Sequence, residues 1–230
     1  MPSPVLLDRG FASPEGREIK ARKIEAVVAN FMGTGETAAL NILDIGCGSG
    51  HIAAYFAPRN RVIACDVVDQ VTTPQRARFE LVIAEATQLP FADGGFDLIL
   101  SNQVITYLQD PRRHVHEIAR LLKPGGVAYL AAPNRYFPFE PHTKTPLVHW
   151  LPGPLYRWII CRLTGRSDAY HVPGYQELVK WFGAAHLKSQ DYTMRIINEP
   201  ERFYMPAPRR VRLPDACKWL SPTCIFMLSR

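Results

Sequence analysis

Paired cysteines, long apolar runs and a recognisable metal-ligand cluster are all missing from this sequence. Its five cysteines, Cys47, Cys65, Cys161, Cys217 and Cys224, are odd in number and include no C-x-x-C pair. That pattern argues against a disulfide framework or a zinc site and for a reducing compartment. Apolar stretches are broken by Pro, Arg or His well short of the roughly 20 residues a membrane span needs, and no basic segment followed by an apolar one opens the chain. A cytoplasmic protein is therefore expected, with peripheral contact at the inner membrane face as the variant. Repeats and low-complexity tracts are also missing. What remains, 47% hydrophobic and 21% charged residues over 230 positions, is the composition of a folded globular chain. A chain of this length buries roughly 70% of its unfolded surface without staples.

Charge is unevenly divided. Residues 1–133 hold 13 basic and 14 acidic side chains, a net of −1, whereas residues 134–230 hold 14 basic and 7 acidic, a net of +7. The second part is suited to an anionic partner, although dispersed basic residues also serve solubility.

Ile24, Val27, Val28 and Phe31 recur at helical spacing near the start. Short apolar runs follow at 39–45, 61–66, 79–84, 96–100 and 127–132, separated by helical or irregular segments. Asp110-Pro111 opens a helix carrying Val115, Ile118, Leu121 and Leu122, and Pro124-Gly125-Gly126 closes it. Strands alternating with helices in this way predict an α/β fold, a parallel sheet covered on both faces. Residues 134–173 are rich in Pro, aromatic and basic residues and read as an insertion or lid. A helix resumes near Glu177, and the runs Tyr192–Ile197 and Thr223–Leu228 read as two further strands. The expected organisation is one domain over 1–230: a core at about 36–133, the insertion at about 134–173, and a helix with a strand hairpin at about 174–230.

The first strand runs into Asp44-Ile45-Gly46-Cys47-Gly48-Ser49-Gly50. Glycines at alternate positions let backbone approach a ligand closely, and the helix that follows offers free amides. A G-x-G-x-x-G dinucleotide fingerprint is not met, because position 51 is His51, and no Lys completes a Walker pattern. The second strand ends in Asp66, 22 residues after Asp44, where a carboxylate can accept from both hydroxyls of a ribose. The third leads to Glu85-Ala86-Thr87 and Leu89-Pro90-Phe91. Three strand ends converge on one nucleoside.

These pieces, with Phe96-Asp97-Leu98, Glu117 to Arg120 and Leu121-Leu122-Lys123-Pro124-Gly125-Gly126, resemble in content and order the class I S-adenosylmethionine-dependent methyltransferases. The similarity is strongest to the small-molecule, type 11 group around the ubiquinone and menaquinone methyltransferases. It implies a Rossmann-like, mostly parallel seven-stranded sheet with helices on both faces and an antiparallel last strand. It implies S-adenosyl-L-methionine as cofactor. It assigns Gly46, Gly48 and Gly50 to the methionine and ribose side, with Cys47 as a small filler, and Asp66 to the ribose hydroxyls, and Val67 joins the cofactor-binding set. Glu85 and Ala86 fall to the adenine, although relatives often carry Asp where this chain has Glu85. Ser101 joins the cofactor set, and Asp44 either orients the methionine amino group or caps the loop.

A hydroxyl acceptor needs a base, and the fifth strand ends in Pro133-Asn134-Arg135 and continues to Glu140-Pro141-His142. His142 is the first candidate, with Glu140 as its orienting partner, and His171 the second; either could equally be a loop histidine bonded to backbone. Asn134, Arg135 and Tyr107 are candidates for the acceptor pocket. His114 and His116, two apart on a helix, cannot face one site and read as packing or solvent residues. No metal is expected. The Trp- and Arg-bearing insertion suits a lid, a lipid-linked substrate or a membrane surface. The expected acceptor is a small, lipid-linked or glycan-linked metabolite. RNA methylation remains an alternative because Arg195, Arg202, Arg209, Arg210 and Arg212 flank the last loop, yet no Pro-Pro-aromatic motif or Pro-Cys nucleophile supports nucleic acid. A cofactor-binding protein without catalysis is the other alternative.

Overall fold

The computed structural model describes residues 14–140, 143, 145–164, 172–205 and 213–230. Helix α1 (Pro14–Met32) precedes β1 (Asn41–Ile45), α2 (His51–Phe56), β2 (Arg61–Asp66), α3 (Thr73–Arg76), β3 (Glu80–Ile83) and β4 (Phe96–Asn102). The chain continues through α4 (Pro111–Leu121), β5 (Leu122–Pro133), α5 (Gly153–Thr164), α6 (Tyr175–Ala184), β6 (Lys188–Asp191), α7 (Thr193–Asn198) and β7 (Thr223–Ser229). The strands make one sheet in the order β3-β2-β1-β4-β5-β7-β6, parallel from β3 to β5, with β7 antiparallel to both neighbours.

Both faces are buried, which is why the strands read as continuous apolar runs rather than alternating ones. Ile42, Leu98, Leu100 and Tyr129 pack with Ile24, Val27 and Val28 of α1 and Phe56 of α2. Leu43, Ile45, Ile99 and Leu130 face the other way, onto Val115 and Ile118 of α4 and Leu178 and Phe182 of α6. Asp110 caps α4 as its sequence suggests, its Oδ1 accepting from Arg113 N at 3.1 Å. Lys123–Gly126 does not separate α4 from β5. It is a bulge inside that strand, the register passing from Phe96↔Leu122 to Leu98↔Val127. There Lys123 Nζ meets both oxygens of Asp97 at 2.8 Å, and Asp97 Oδ2 also accepts from Asn41 N at 2.9 Å. These residues of the conspicuous sequence motif lock the amino-terminal end of the sheet, opposite the strand tips.

One strand lies elsewhere than its sequence suggests. Tyr192–Ile197 is mostly helix α7, and the edge strand is the preceding Lys188–Asp191. An edge strand pairs on one side only and can be polar throughout, so apolar content does not mark it. Asp191 Oδ1 accepts from Thr193 N at 2.8 Å and helps start α7, which buries Met194 and Ile196.

Candidate functional site

The direction in which strands are added reverses between β1 and β4, and that is where open α/β sheets form a ligand crevice. Gly46, Gly48 and Gly50 turn the chain there with φ of 69°, 53° and 78°, a left-handed region costly for residues with a Cβ. Gly46 N and Cys47 N both donate to the Cys65 carbonyl, at 2.8 and 3.1 Å, fastening the loop to β2. A Cβ on Gly46 would lie 2.5 Å from Val104 Cγ2, and one on Gly50 would lie 2.6 Å from Phe79 Cζ. At Gly48 a Cβ would meet nothing within 4 Å among the described residues. Two glycines thus close the loop against the protein, while the middle one faces open space.

Asp66, at the tip of β2, borders that space. Its Oδ2 accepts from Gly48 N at 2.8 Å and its Oδ1 from Val67 N at 2.8 Å, so backbone amides orient the carboxylate while leaving lone pairs for a diol. Asp44 is buried on β1, and its Oδ2 has no hydrogen-bond partner among the described residues. Burial pushes its carboxyl up to about 7; the Ala53 N–H opposes this and the nearby Asp66 charge adds to it. A buried carboxyl oxygen left unpaired costs on the order of 1–3 kcal/mol, which a bound cationic donor would recover. The Cys47 thiol is held well above its usual range, first by burial and then by Asp44 and Asp66. This disfavours the thiolate and a nucleophilic role.

Sequence reasoning missed Arg17 here, and left His114 open between packing and solvent. Arg17 of α1 donates to Ser49 Oγ and lies 3.0 Å from His51 Nδ1, placing a guanidinium on the glycine loop. His114 is fully buried: its Nδ1 is 2.9 Å from the Ala86 carbonyl and its Nε2 is 2.9 Å from Ser101 Oγ. It lies i, i+4, i+7 with Ile118 and Leu121, a helical signal that would have placed it on the apolar face. His116 is exposed. Ala86 and Ser101 are buried, whereas Glu85 is exposed beside them. The Leu89–Phe91 turn is held by α4: Leu89 N donates to Glu117 Oε2 at 2.9 Å, and Arg120 donates to the carbonyls of Leu89 and Phe91.

Of the residues suggested from the sequence for an acceptor pocket, Tyr107 is about half exposed, just past the end of β4. Asn134 is buried at the end of β5, donating to the carbonyls of Lys218 and Ser221 and accepting from Tyr136 N. It ties this strand tip to the segment before β7. The Arg135 carbonyl accepts from His149 Nε2 and Trp150 Nε1, and its guanidinium reaches the Val172 carbonyl at 3.4 Å. Glu140 is fully buried, its carboxylate accepting from Thr143 N, Thr143 Oγ1 and Tyr156 Oη. The carboxylate thereby organises the insertion. His142 and His171 lie outside the described residues.

Residues 43–130 match the family model described as a methyltransferase domain. A probable S-adenosylmethionine-dependent methyltransferase of Mycolicibacterium smegmatis is 36% identical over 111 residues, 46% of this chain and 43% of the relative. A probable S-adenosylmethionine-dependent methyltransferase of Mycobacterium tuberculosis is 34% identical over 113 residues, 47% of this chain and 41% of the relative. The matches thus take in less than half of each curated relative. An S-adenosylmethionine-dependent methyltransferase of Mesorhizobium loti superposes with a TM-score of 0.62 over 95% of this chain and 99% of its own, at 15% identity, a likeness of fold. The matched segment runs from the first strand, through the glycine loop and Asp66, into the fifth, and over these residues the chain is similar to methyltransferase domains.

Proposed function

We propose that the protein transfers a methyl group from S-adenosylmethionine to a hydroxyl or other nucleophile on a small, lipid-linked or glycan-linked metabolite. The observation that carries the reading is the juxtaposition at the strand tips: an oriented carboxylate on Asp66, an unpaired buried oxygen on Asp44 and open space over Gly48 between them in the loop. These groups fit an adenosyl amino acid. Asp66 would accept from the ribose hydroxyls, Asp44 from the amino group, and Arg17 stands where a carboxylate can be met. Glu85 and Ala86 border the adenine position. When bound, the sulfonium supplies an already electrophilic methyl group. The protein's main task is then to hold the acceptor atom in line at about 3 Å with water excluded, so positioning dominates. Arg135 and Tyr107 are the pocket residues suggested for the acceptor. His142 or His171 is the suggested base for a hydroxyl, and the net +7 of residues 134–230 suits an anionic acceptor.

The test is incubation of cell extract with protein and deuteromethyl-labelled cofactor, followed by mass spectrometry. A labelled product that depends on the protein names the acceptor. Intact cofactor binding without any labelled product would instead leave a binding protein, and calorimetry showing no affinity for S-adenosylmethionine or S-adenosylhomocysteine would end the proposal.

A further inference from the structure

Helix α5 (Gly153–Thr164) turns only one side inward. Tyr156 and Ile160, one turn apart, are buried in a small core with Val148, and Leu151 and Ile159 pack against it. The opposite side should then be polar if it met only water. Instead Leu155 and Trp158 lie there at i and i+3, 45% and 59% exposed, with Arg162 completing the stripe at i+7 and Arg157 and Cys161 beside it. The Arg162 guanidinium sits 5.7 Å from the Trp158 ring centroid, so cation and indole share one patch. The helix charge is of one sign: Gly153–Thr164 contains Arg157 and Arg162 and no Asp or Glu. Among the described residues no helix is long and apolar enough to cross a membrane, so this feature belongs to a surface and not to a span.

We propose that the outward face of α5 docks the protein on an anionic lipid bilayer. An interfacial helix combines a Trp/Leu face with cationic side chains that reach the headgroups; a short helix of this kind gives reversible attachment. The positive charge complements anionic headgroups, and the exposed Leu155 and Trp158 beside it suit the boundary between headgroups and acyl chains. Docking there would set the insertion against the bilayer, on the side of the chain that follows β5. The inference goes beyond the methyl-transfer reading and does not depend on it.

The experiment is co-sedimentation of the full chain with phosphatidylcholine vesicles, with and without phosphatidylglycerol, at low and raised salt. Parallel samples carry Trp158→Ala and the double substitution Arg157→Ala, Arg162→Ala, and S-adenosylhomocysteine affinity is measured on each. Binding confined to the anionic vesicles and weakened by salt is expected, falling roughly 30-fold in the double variant while cofactor affinity stays unchanged. No vesicle binding, equal binding to neutral vesicles, or binding indifferent to these substitutions overturns the proposal. Concentration-dependent self-association lost in Trp158→Ala, without vesicle binding, also overturns it and assigns the face to a second copy of the chain. Absence of S-adenosylhomocysteine affinity in wild-type protein that binds the vesicles would count against the methyl-transfer reading alone.

Discussion

His114 and Ser101 share a 2.9 Å hydrogen bond in the core, and the other side of the imidazole fixes its direction. Nδ1 faces the Ala86 carbonyl at 2.9 Å and must carry the proton, so Nε2 accepts from the Ser101 hydroxyl. One neutral side chain thereby ties the tip of β4 to the loop after β3.

Burial pulls the His114 imidazole down to about 4, with the Ala86 carbonyl and Glu117 opposing. An unfolded chain would take up this proton near pH 6.5, so the contribution runs against the fold as pH falls from about 6.5 to 4, by roughly 3 kcal/mol. Urea unfolding at pH 7 and 4.5 should show a larger loss for wild type than for His114→Gln, which cannot titrate. Equal losses would remove this role. His114→Ala should cost about 2–4 kcal/mol at pH 7, because it leaves a hydroxyl and a carbonyl unpaired beside a cavity.

Asp44 titrates in the opposite sense. Its folded carboxyl is raised to about 7, so the unfolded chain loses its proton first and stability declines as pH rises from about 4 to 7. The stability of Asp44→Asn relative to wild type should therefore improve with pH across that window. Binding of an ammonium at Asp44 favours the charged carboxylate, so calorimetry near pH 6.5 in buffers of different ionisation heat should register proton release in wild type and none in Asp44→Asn.

The glycine loop separates folding from binding. Gly46→Ala combines positive φ with the Val104 clash and should destabilise the protein by about 2 kcal/mol or more, and Val104→Ala should partly rescue it. Gly48→Ala adds a methyl group to open space, so it should weaken S-adenosylhomocysteine binding tenfold or more, a larger effect than its roughly 1 kcal/mol of backbone strain on folding. Melting temperature and calorimetry on the same samples distinguish the two.

Asp66→Ala removes the carboxylate proposed to accept from a ribose diol and also frees the Gly48 amide. A loss of about 100-fold in affinity for S-adenosylhomocysteine is expected, on the scale of charge-assisted hydrogen bonds. Unchanged affinity would mean the crevice holds something else.

Tyr129 on β5 is fully buried, its hydroxyl without a partner among the described residues, and burial holds that phenol above its usual range. Tyr129→Phe keeps the ring and discards the stranded oxygen. It should raise the melting temperature by about 2–4 °C or leave it unchanged, and a clear drop would reveal a partner for that oxygen.

The local pattern was enough to identify five parallel strands, the glycine loop and Asp66, because each follows from the chain immediately around it. Buried strands are continuous apolar runs, a left-handed turn asks for glycine, and a carboxylate ending a strand sits at its tip whatever lies opposite. Three things depended on distant segments. The edge strand Lys188–Asp191 has no apolar signature and is defined by pairing with β7. Arg17, 32 residues before Ser49, reaches the glycine loop because α1 packs beside α2. Glu140 and Asn134, read as site residues from their position after the fifth strand, are enclosed by Thr143, Tyr156, Lys218 and Ser221. Periodicity and turn chemistry are local and survive in one dimension. Burial, the unpaired oxygen on Asp44 and the company a polar side chain keeps arise when remote segments are brought together, and only the tertiary structure decided them.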